Sequence, residues 1–412
     1  MRYKLKILYI TQYFYPEVGA TTNRALANVR YLAKKGHRVT VLTEMPNHPK
    51  GIIFDNYKRK IFLKEKMENF TINRVWVYTN QKKNFLTRLF FYFSFMFLGI
   101  ICTLFNWKKY DIVYVTSPPL FVGSIGLFLK KIFRNVKFIF EVRDLWPDAA
   151  IEMGELNNIK FINFSYKLEN LLYKNADHIV AVTQNFKDKI IKKGCSEKKI
   201  SIIRNGSDLS FKKVVVSKEL RNRFNASENF IAIYAGILGL AQNLQIIIDA
   251  AKKLENENVI VLLLGTGPKE NELKNYADKV KVKNLKFLGE IPTNEISAYF
   301  SLANCGIIPL RNIEVFKSTI PSKLFDYMSA ALPILLGVKG EAASILNQSK
   351  AGITFEPDNS EDLAEKIVYL KNTPNLLFEM KTKGRRFVKH NYNRKILAAK
   401  LEKLLNKINS SE

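Results

Sequence analysis

At 412 residues the chain is long enough for two or three domains with separate cores, and 47% apolar residues exclude a disordered polymer. A formal charge of +28 favours anionic partners, but frequent Lys, Asn and Ile account for part of it, so charge alone selects no function. Cys102, Cys195 and Cys305 are far apart, form no C-x-x-C pair and read as buried apolar residues in a reducing compartment.

The N-terminal MRYKLKILYIT is a basic start running into a short strand. It is too brief for a signal peptide and lacks a small-residue cleavage pattern, so a cytoplasmic chain is expected. Short β-branched runs then alternate with helix-length segments. One series reads ILYIT, VTVLT, VWVYT, IVYVT, FIFEV, HIVAVT and SIIRNG, and a second reads FIAIYAG, VIVLLLG, LKFLGE, GIIPL, PILLGV and GITFE. Such alternation predicts parallel sheets of βαβ units, and two series predict two doubly wound α/β domains, over 1–208 and 209–390. A C-terminal helix over 391–412 is expected, with a return to the first domain open to it. Ser207 to Asn229 is polar, carries no core strand and reads as linker and entry to the second domain. Ligands of such sheets bind beyond the carboxyl ends of the strands, which directs attention to the loops there.

The first such loop is QYFYPEVGATT, Gln12 to Thr22. Gly19 permits close approach of a ligand and Ala20 opens a helix whose N–H groups face it, with a plain turn as the alternative. Leu89 to Trp107 is uncharged and long enough to span a bilayer, yet it lies between strands of one sheet, which spanning would pull apart. A buried helix or an interfacial one remains. The aromatic content favours the interface, with Lys82, Lys83, Arg88, Lys108 and Lys109 near lipid headgroups, so the segment near 85–107 is read as a membrane-interface helix. FIFEV ends in Arg143 and Asp144, placed for site work or for mutual pairing, and Asn205-Gly206 is a turn signal at the exit of the first domain.

In the second domain, Gly236, Gly239 and Gln242 follow one strand, Gly265 and Gly267 the next, and Glu290 ends LKFLGE. Neither glycine loop is a P-loop or a full dinucleotide fingerprint. The most informative stretch is IIPLRNIEVFKSTIPSKLFDYMSAALP, Ile307 to Pro333. A strand ends there, a polar loop carries Arg311 and Lys317, and Pro321-Ser322 opens an amphipathic helix that buries Leu324, Phe325 and Met328. Ser322 and Lys323 at that helix start suit a phosphate, and Asp326 one turn on suits a hydroxyl-bearing group. A nucleotide sugar has both. The alternative is that Ser322 caps the helix and Asp326 is a solvated acid.

Together these segments resemble a family-4 retaining glycosyltransferase of the GT-B fold, over nearly the whole chain. The resemblance rests on Gly19, Gly36-His37-Arg38-Val39-Thr40-Val41, Asn205-Gly206-Ser207-Asp208, Gly236, Gly265-Thr266-Gly267 and Pro321-Ser322-Lys323-Leu324-Phe325-Asp326. Glu141-Val142-Arg143-Asp144-Leu145-Trp146-Pro147 together with Pro321 to Phe325 is similar to a bacterial subgroup that builds O-antigen and capsule repeat units and includes N-acetyl-L-fucosamine transferases.

The resemblance implies two Rossmann-like domains facing across a cleft, the second holding the nucleotide sugar and the first meeting the acceptor. The donor side would comprise Gly236, Gly239, Gln242, Gly265, Gly267, Glu290, Lys317, Ser318, Pro321, Ser322 and Asp326. The acceptor and phosphate loop would comprise Gly19, Ala20, Arg143 and Asn205, and Asp144, Lys323 and Arg311 would be catalytic. The family's E-x7-E motif falls on Ser318 and Asp326, so its first carboxylate is absent. The Arg and Lys that many relatives aim at the diphosphate are replaced by Ile237 and the Gln242-Asn243 pair. The implied reaction needs no metal or other cofactor. It moves a sugar, N-acetylated or deoxy, from a nucleoside diphosphate, taken as UDP, to a lipid-linked saccharide at the cytoplasmic face of an anionic membrane. A GT-B sugar-nucleotide epimerase and a non-catalytic basic membrane-binding protein are the rival readings. Nucleic acid is not an expected partner, because no recognisable binding module is present.

Overall fold

The computed structural model describes residues 4–81, 85–106, 110–211, 213–292 and 294–410. The chain forms two compact units, one of residues 1–205 with 394–412 and the other of residues 206–393. The chain thus passes between units after Asn205 and after Asn393, a few residues from the boundaries read in the sequence.

In the first unit the order is β1 (Lys6–Ile10), α1 (Ala20–Lys34), β2 (Arg38–Glu44), β3 (Phe62–Met67), β4 (Phe70–Val75), α2 (Phe85–Asn106), β5 (Ile112–Ser117), α3 (Gly123–Ile132), β6 (Lys137–Val142), α4 (Asp148–Glu152), α5 (Ile159–Asn175), β7 (His178–Ala181), α6 (Gln184–Lys192) and β8 (Ile200–Ile202). The second unit runs α7 (Lys218–Arg223), β9 (Phe230–Ala235), α8 (Gln245–Lys253), β10 (Val259–Leu264), α9 (Glu270–Val280), β11 (Leu285–Gly289), α10 (Ile296–Leu302), β12 (Cys305–Pro309), α11 (Glu314–Lys317), α12 (Ser322–Ser329), β13 (Ile334–Gly337), α13 (Glu341–Ser349), β14 (Gly352–Thr354), α14 (Ser360–Lys371) and α15 (Pro374–Asn391). The last helix, α16 (Arg394–Ser410), belongs to the first unit and packs on α1.

The first sheet has the order β3-β4-β2-β1-β5-β6-β7-β8 and is parallel except for β3, which runs antiparallel to β4. The second, β11-β10-β9-β12-β13-β14, is parallel throughout. Alternation along β1 shows how both faces are covered. Ile7 and Tyr9 pack with Val29 and Leu32 of α1 and Leu401 and Leu405 of α16, while Leu8 and Ile10 share the opposite core with Phe95 of α2, Ile125 of α3 and Phe138. Each such side chain removed from water contributes about 1.5–3 kcal/mol, enough for a two-faced sheet to hold both helix layers.

One expected strand is shifted. VWVYT overlaps β4 only at Val75, because the paired strand is FTINRV, and the preceding FLKEKM forms β3, which the sequence reading omitted. β3 is the edge of the sheet and carries Lys64, Glu65 and Lys66 in succession, which blunts edge-to-edge association but hides the strand from a search for apolar runs. Two further readings change. Cys195 is half-buried, whereas Cys102 and Cys305 are buried. Pro268, which the sequence suits to a first helical turn, lies ahead of α9, which begins at Glu270.

Helix α2 is the one described helix long and apolar enough to cross a membrane. The strands before and after it, β4 and β5, belong to the same sheet. It packs against α3 and the sheet through Phe95, Gly99 and Cys102, yet only 22% of its apolar window, Leu86–Leu104, is buried, so it is not a core helix. Of the flanking cations, Arg88 pairs with Glu155 at 2.8 Å, and Lys82, Lys83, Lys108 and Lys109 lie outside the described residues.

Candidate functional site

The order of the second sheet reverses between β9 and β12, so the loops leaving these strands flank its topological switch point. After β9 the chain turns through Gly236, whose φ of +148° side-chain-bearing residues rarely adopt. After β12 it passes Arg311 and α11 and enters α12. That helix is seated by buried Leu324, Phe325 and Met328 and by Tyr327, whose hydroxyl accepts the Ala235 N–H at 3.0 Å. Pro321 occupies the N-cap position and no side chain caps the first turn. Ser322 is therefore the first helical residue and not the cap; the Leu324 N–H donates to the Pro321 carbonyl at 3.0 Å, and the N–H groups of Ser322 and Lys323 are the ones that can meet an anion.

Lys323 lies across Gly236. A Cβ at position 236 would stand 2.5 Å from both Cε and Nζ of Lys323, so a side chain there would displace the ammonium. Nζ sits 5.0 Å from the centre of the Tyr234 ring. Burial pulls the lysine down to about 8, opposed by the nearby Asp326 carboxylate. A poorly solvated cation with a single acidic neighbour gains strongly from a second anion. Asp326 also accepts a hydrogen bond from the buried Ser207 hydroxyl at 3.3 Å, beside the Ser207 and Asn393 bridge.

The neighbouring glycine loops are fastened by backbone. A Cβ on Gly265 would meet the Gly236 carbonyl oxygen at 2.0 Å, and one on Gly267 would meet that of Leu238 at 2.4 Å. The Leu238 N–H donates to Thr266 O at 2.9 Å, and the Arg311 N–H donates to Ala241 O at 3.0 Å. Asp358, which sequence reasoning missed, accepts from the Asn243 side chain at 2.6 Å and from the Asn312 N–H at 2.8 Å, joining the β9 and β12 loops. Gly239 and Gln242 adjoin in the same turn.

Gly236, Gly239, Gln242, Gly265, Gly267, Pro321, Ser322, Lys323 and Asp326 thus gather on the loops around the switch point, with Arg311 exposed at the rim. Three further residues expected on the donor side are held differently. Lys317 is engaged by Glu314 at 2.6 Å, one turn away on α11. Ser318 is buried behind that helix and offers no surface hydroxyl. Glu290 is exposed just past the edge strand β11, next to Gly289, whose carbonyl accepts the Gly265 N–H at 2.7 Å, so it stands beside the Gly265 loop.

In the first unit the order reverses between β1 and β5. Gly19 is the N-cap of α1, with extended backbone and open space over its Cα, so no strain requires glycine there. Exposed Ala20 begins the helix, and Arg143 donates to the Thr21 hydroxyl at 2.5 Å, joining the β6 loop to this first turn. Beneath them lies a network that sequence reasoning did not anticipate. Arg24 is buried, pairs with Glu141 at 2.7 Å, and donates to the carbonyls of Arg204 at 2.7 Å and Ile203 at 2.8 Å. The Tyr114 hydroxyl also donates to Glu141 at 2.7 Å. Arg24 therefore holds the segment leading to half-exposed Asn205. Its only local signal was an arginine on the apolar side of an amphipathic helix.

Burial raises the Asp144 carboxyl to about 6, against the lowering effects of the Leu145 N–H and Arg143. Asp148, by contrast, is engaged by Lys193 at 3.1 Å and Tyr166 at 2.6 Å. Glu17, inside the first loop, accepts the N–H groups of Asn47 at 2.7 Å and His48 at 2.8 Å and so orders the chain after β2. Among the described residues no cluster of three or more His, Cys, Asp or Glu offers metal-ligand geometry.

Known proteins carry the same pattern. A family model described as Glycosyltransferase Family 4 matches residues 22–211, and one described as Glycosyl transferases group 1 matches residues 216–387. WcaI of Escherichia coli, a glycosyl transferase whose name assigns it to colanic acid biosynthesis, is 23% identical over 79% of this chain and 81% of its own. Sucrose-phosphate synthase from Thermosynechococcus elongatus superposes with a TM-score of 0.74 at 16% identity, over 99% of this chain and 100% of that one. Anabaena HepE, solved in complex with UDP and glucose, superposes with a TM-score of 0.71 at 16% identity, over 98% and 100% of the two chains. With a matching model on each of its two Rossmann-like units, the chain belongs to the GT-B glycosyltransferases of the family-4 type.

Proposed function

We propose that the protein transfers a sugar, N-acetylated or deoxy, from a UDP-linked donor to a lipid-linked saccharide in cell-surface polysaccharide synthesis, with retention and without a metal. The observation that carries this reading is the Lys323 ammonium, held over Gly236 at the uncapped start of α12. That arrangement supplies a fixed positive charge where a leaving diphosphate gathers negative charge. The name of WcaI supports a polysaccharide pathway, and the UDP and glucose bound by HepE support a UDP-sugar donor.

In the proposed reaction the bond from the anomeric carbon to the diphosphate oxygen breaks, and the acceptor oxygen bonds that carbon on the same face. The acceptor proton passes to the departing diphosphate. Lys323 and the first-turn N–H groups of α12 neutralise that diphosphate, with Arg311 at the rim. Asp326 holds the ribose hydroxyls, and Asp144 faces the reacting sugar. The work left to the protein is positioning and charge stabilisation. The enzyme would act peripherally at the cytoplasmic membrane face, with α2 toward the lipid.

Incubation with a panel of nucleotide sugars and a lipid diphosphate-linked saccharide, followed by product mass and anomeric configuration, tests this reading. An acceptor one sugar heavier, with the donor's configuration kept, is expected. Conversion of the donor without acceptor, or no turnover across the panel, would overturn it.

A further inference from the structure

Beyond the transfer site, the first unit has an apolar groove of about 550 Å³, between the β3–β4 hairpin and α2, within the ~300–1,000 Å³ usual for small-molecule sites. Ile61, Trp76, Phe97 and Leu98 line it together with Arg59, Lys60 and Ser94. Ile61, Trp76 and Phe97 are exposed, at 60%, 38% and 64%. The exposed side of α2 continues the apolar surface through Leu86, Phe90, Ile101 and Leu104. Neither Arg59 nor Lys60 takes part in an ion pair among the described residues, although neighbouring Lys58 pairs with Asp55. The Trp76 N–H donates to Ile61 O at 2.8 Å, so the hairpin wall at this point is held by backbone.

An apolar slot with an amphipathic tryptophan in its wall and two exposed cations among its lining residues, the Lys60 ammonium donating to the Asn56 carbonyl at 3.0 Å, matches one chemistry, a chain ending in a phosphate. We propose that this groove takes one acyl chain of an anionic membrane phospholipid, with the lipid phosphate at Arg59 and Lys60 and the exposed face of α2 lying against the bilayer. The inference rests on the lipid-linked acceptor reading above. It adds a lipid site of its own at the carboxyl end of β4, where Val75 leads into Trp76. That end lies four strand positions from β6, or roughly 20 Å at the spacing of paired strands, so the site is separate from Asp144.

The test uses the full chain with vesicles of phosphatidylcholine alone or mixed with phosphatidylglycerol, at low and high salt. Mixed vesicles are expected to bind at low salt and neutral ones weakly. At about 1 kcal/mol per cation, Arg59→Gln with Lys60→Gln should weaken binding about thirty-fold. Phe97→Ser should weaken it on a face separate from that charge, while Phe378→Ser, an exposed site in the other unit, should not. Lipids brominated along the chain should quench fluorescence that is missing in Trp76→Phe. Undiminished binding in the groove variants, or a chain that dimerises through Phe97 without binding lipid, would overturn the proposal. Transfer to a water-soluble acceptor, assayed in parallel, keeps the readings separable. If groove variants retain that transfer while losing vesicles, the lipid site stands. If transfer is absent and vesicle binding follows the groove, the transferase reading alone fails.

Discussion

Replacing Lys323 with methionine separates what this residue costs the fold from what it contributes to transfer. The side chain keeps its length and its place over Gly236 but loses the charge. Burial lowers the ammonium from 10.5 to about 8, a difference of about 3 kcal/mol at ~1.4 kcal/mol per pH unit. The side chain is not wholly shielded from solvent, which reduces the penalty to about 1–3 kcal/mol. Below pH 8 both folded and unfolded chains hold the proton, so the full penalty stands. Between 8 and 10.5 the unfolded chain keeps a proton that the folded chain has released, so stability rises with pH, and above that range the penalty is gone. Lys323→Met should therefore be more stable than the parent at pH 7, with the gain fading toward pH 10. Transfer should fall by about 2–4 kcal/mol of transition-state stabilisation, roughly 30- to 1,000-fold in rate. UDP should raise the melting temperature of the parent more than that of the variant. Denaturant unfolding across pH, nucleotide thermal shifts and transfer kinetics test the three parts. A variant that transfers sugar at the parental rate, or is destabilised at pH 7, would refute the assignment.

The pH dependence of kcat/KM should be bell-shaped, rising through about 6 as Asp144 ionises and falling through about 8 as Lys323 loses its proton. Asp144→Asn should remove the acid limb alone; if that limb survives, the carboxylate is not required. Arg24→Ala leaves the wholly buried Glu141 carboxylate without its cation and should destabilise the protein by about 3–5 kcal/mol, read in denaturant, with Glu141→Gln in the same chain recovering part of the loss. His178, bonded to Ser201 and lowered by burial from 6.5 to about 4, should make the fold acid-sensitive. As pH falls from 6.5 to 4 the unfolded chain gains a proton that the folded chain refuses, so up to about 2 kcal/mol is lost, and His178→Asn should show a shallower acid limb in its melting temperature.

Where the sequence was legible, the reason is local. Parallel strands buried on both faces must be almost wholly apolar, so FIAIYA, VIVLLL and KFIFEV declare themselves within a few residues. The loops after them carry glycine where one backbone presses on another, as Gly265 does on Gly236. β3 escaped because an edge strand faces solvent and its Lys and Glu alternation resembles a surface loop. The surroundings of Lys317 and Ser318 were illegible for a related reason: whether the one is paired with Glu314 and the other buried depends on α11, a single turn of helix with no run of its own in the sequence.

The charges of the site are non-local in the strongest sense. Arg24 meets Glu141 across 117 positions and Asp358 joins loops 115 and 46 positions away, distances at which no periodicity carries information. Lys323 shows how the two kinds of evidence combine. Its motif named it as a phosphate-side cation, but only the fold reveals that its ammonium crosses Gly236 and is partly desolvated there. Ile237 leaves the β9 loop without the arginine many relatives place there, yet its carbonyl accepts the Tyr234 hydroxyl at 2.7 Å, so the loop keeps its shape without that charge. The positive charge at the switch point then comes from α12, a helix anchored by four buried side chains. A cation on a packed helix needs less reorganisation to meet a phosphate than one on a mobile loop, which is the property that charge stabilisation in a transition state rewards.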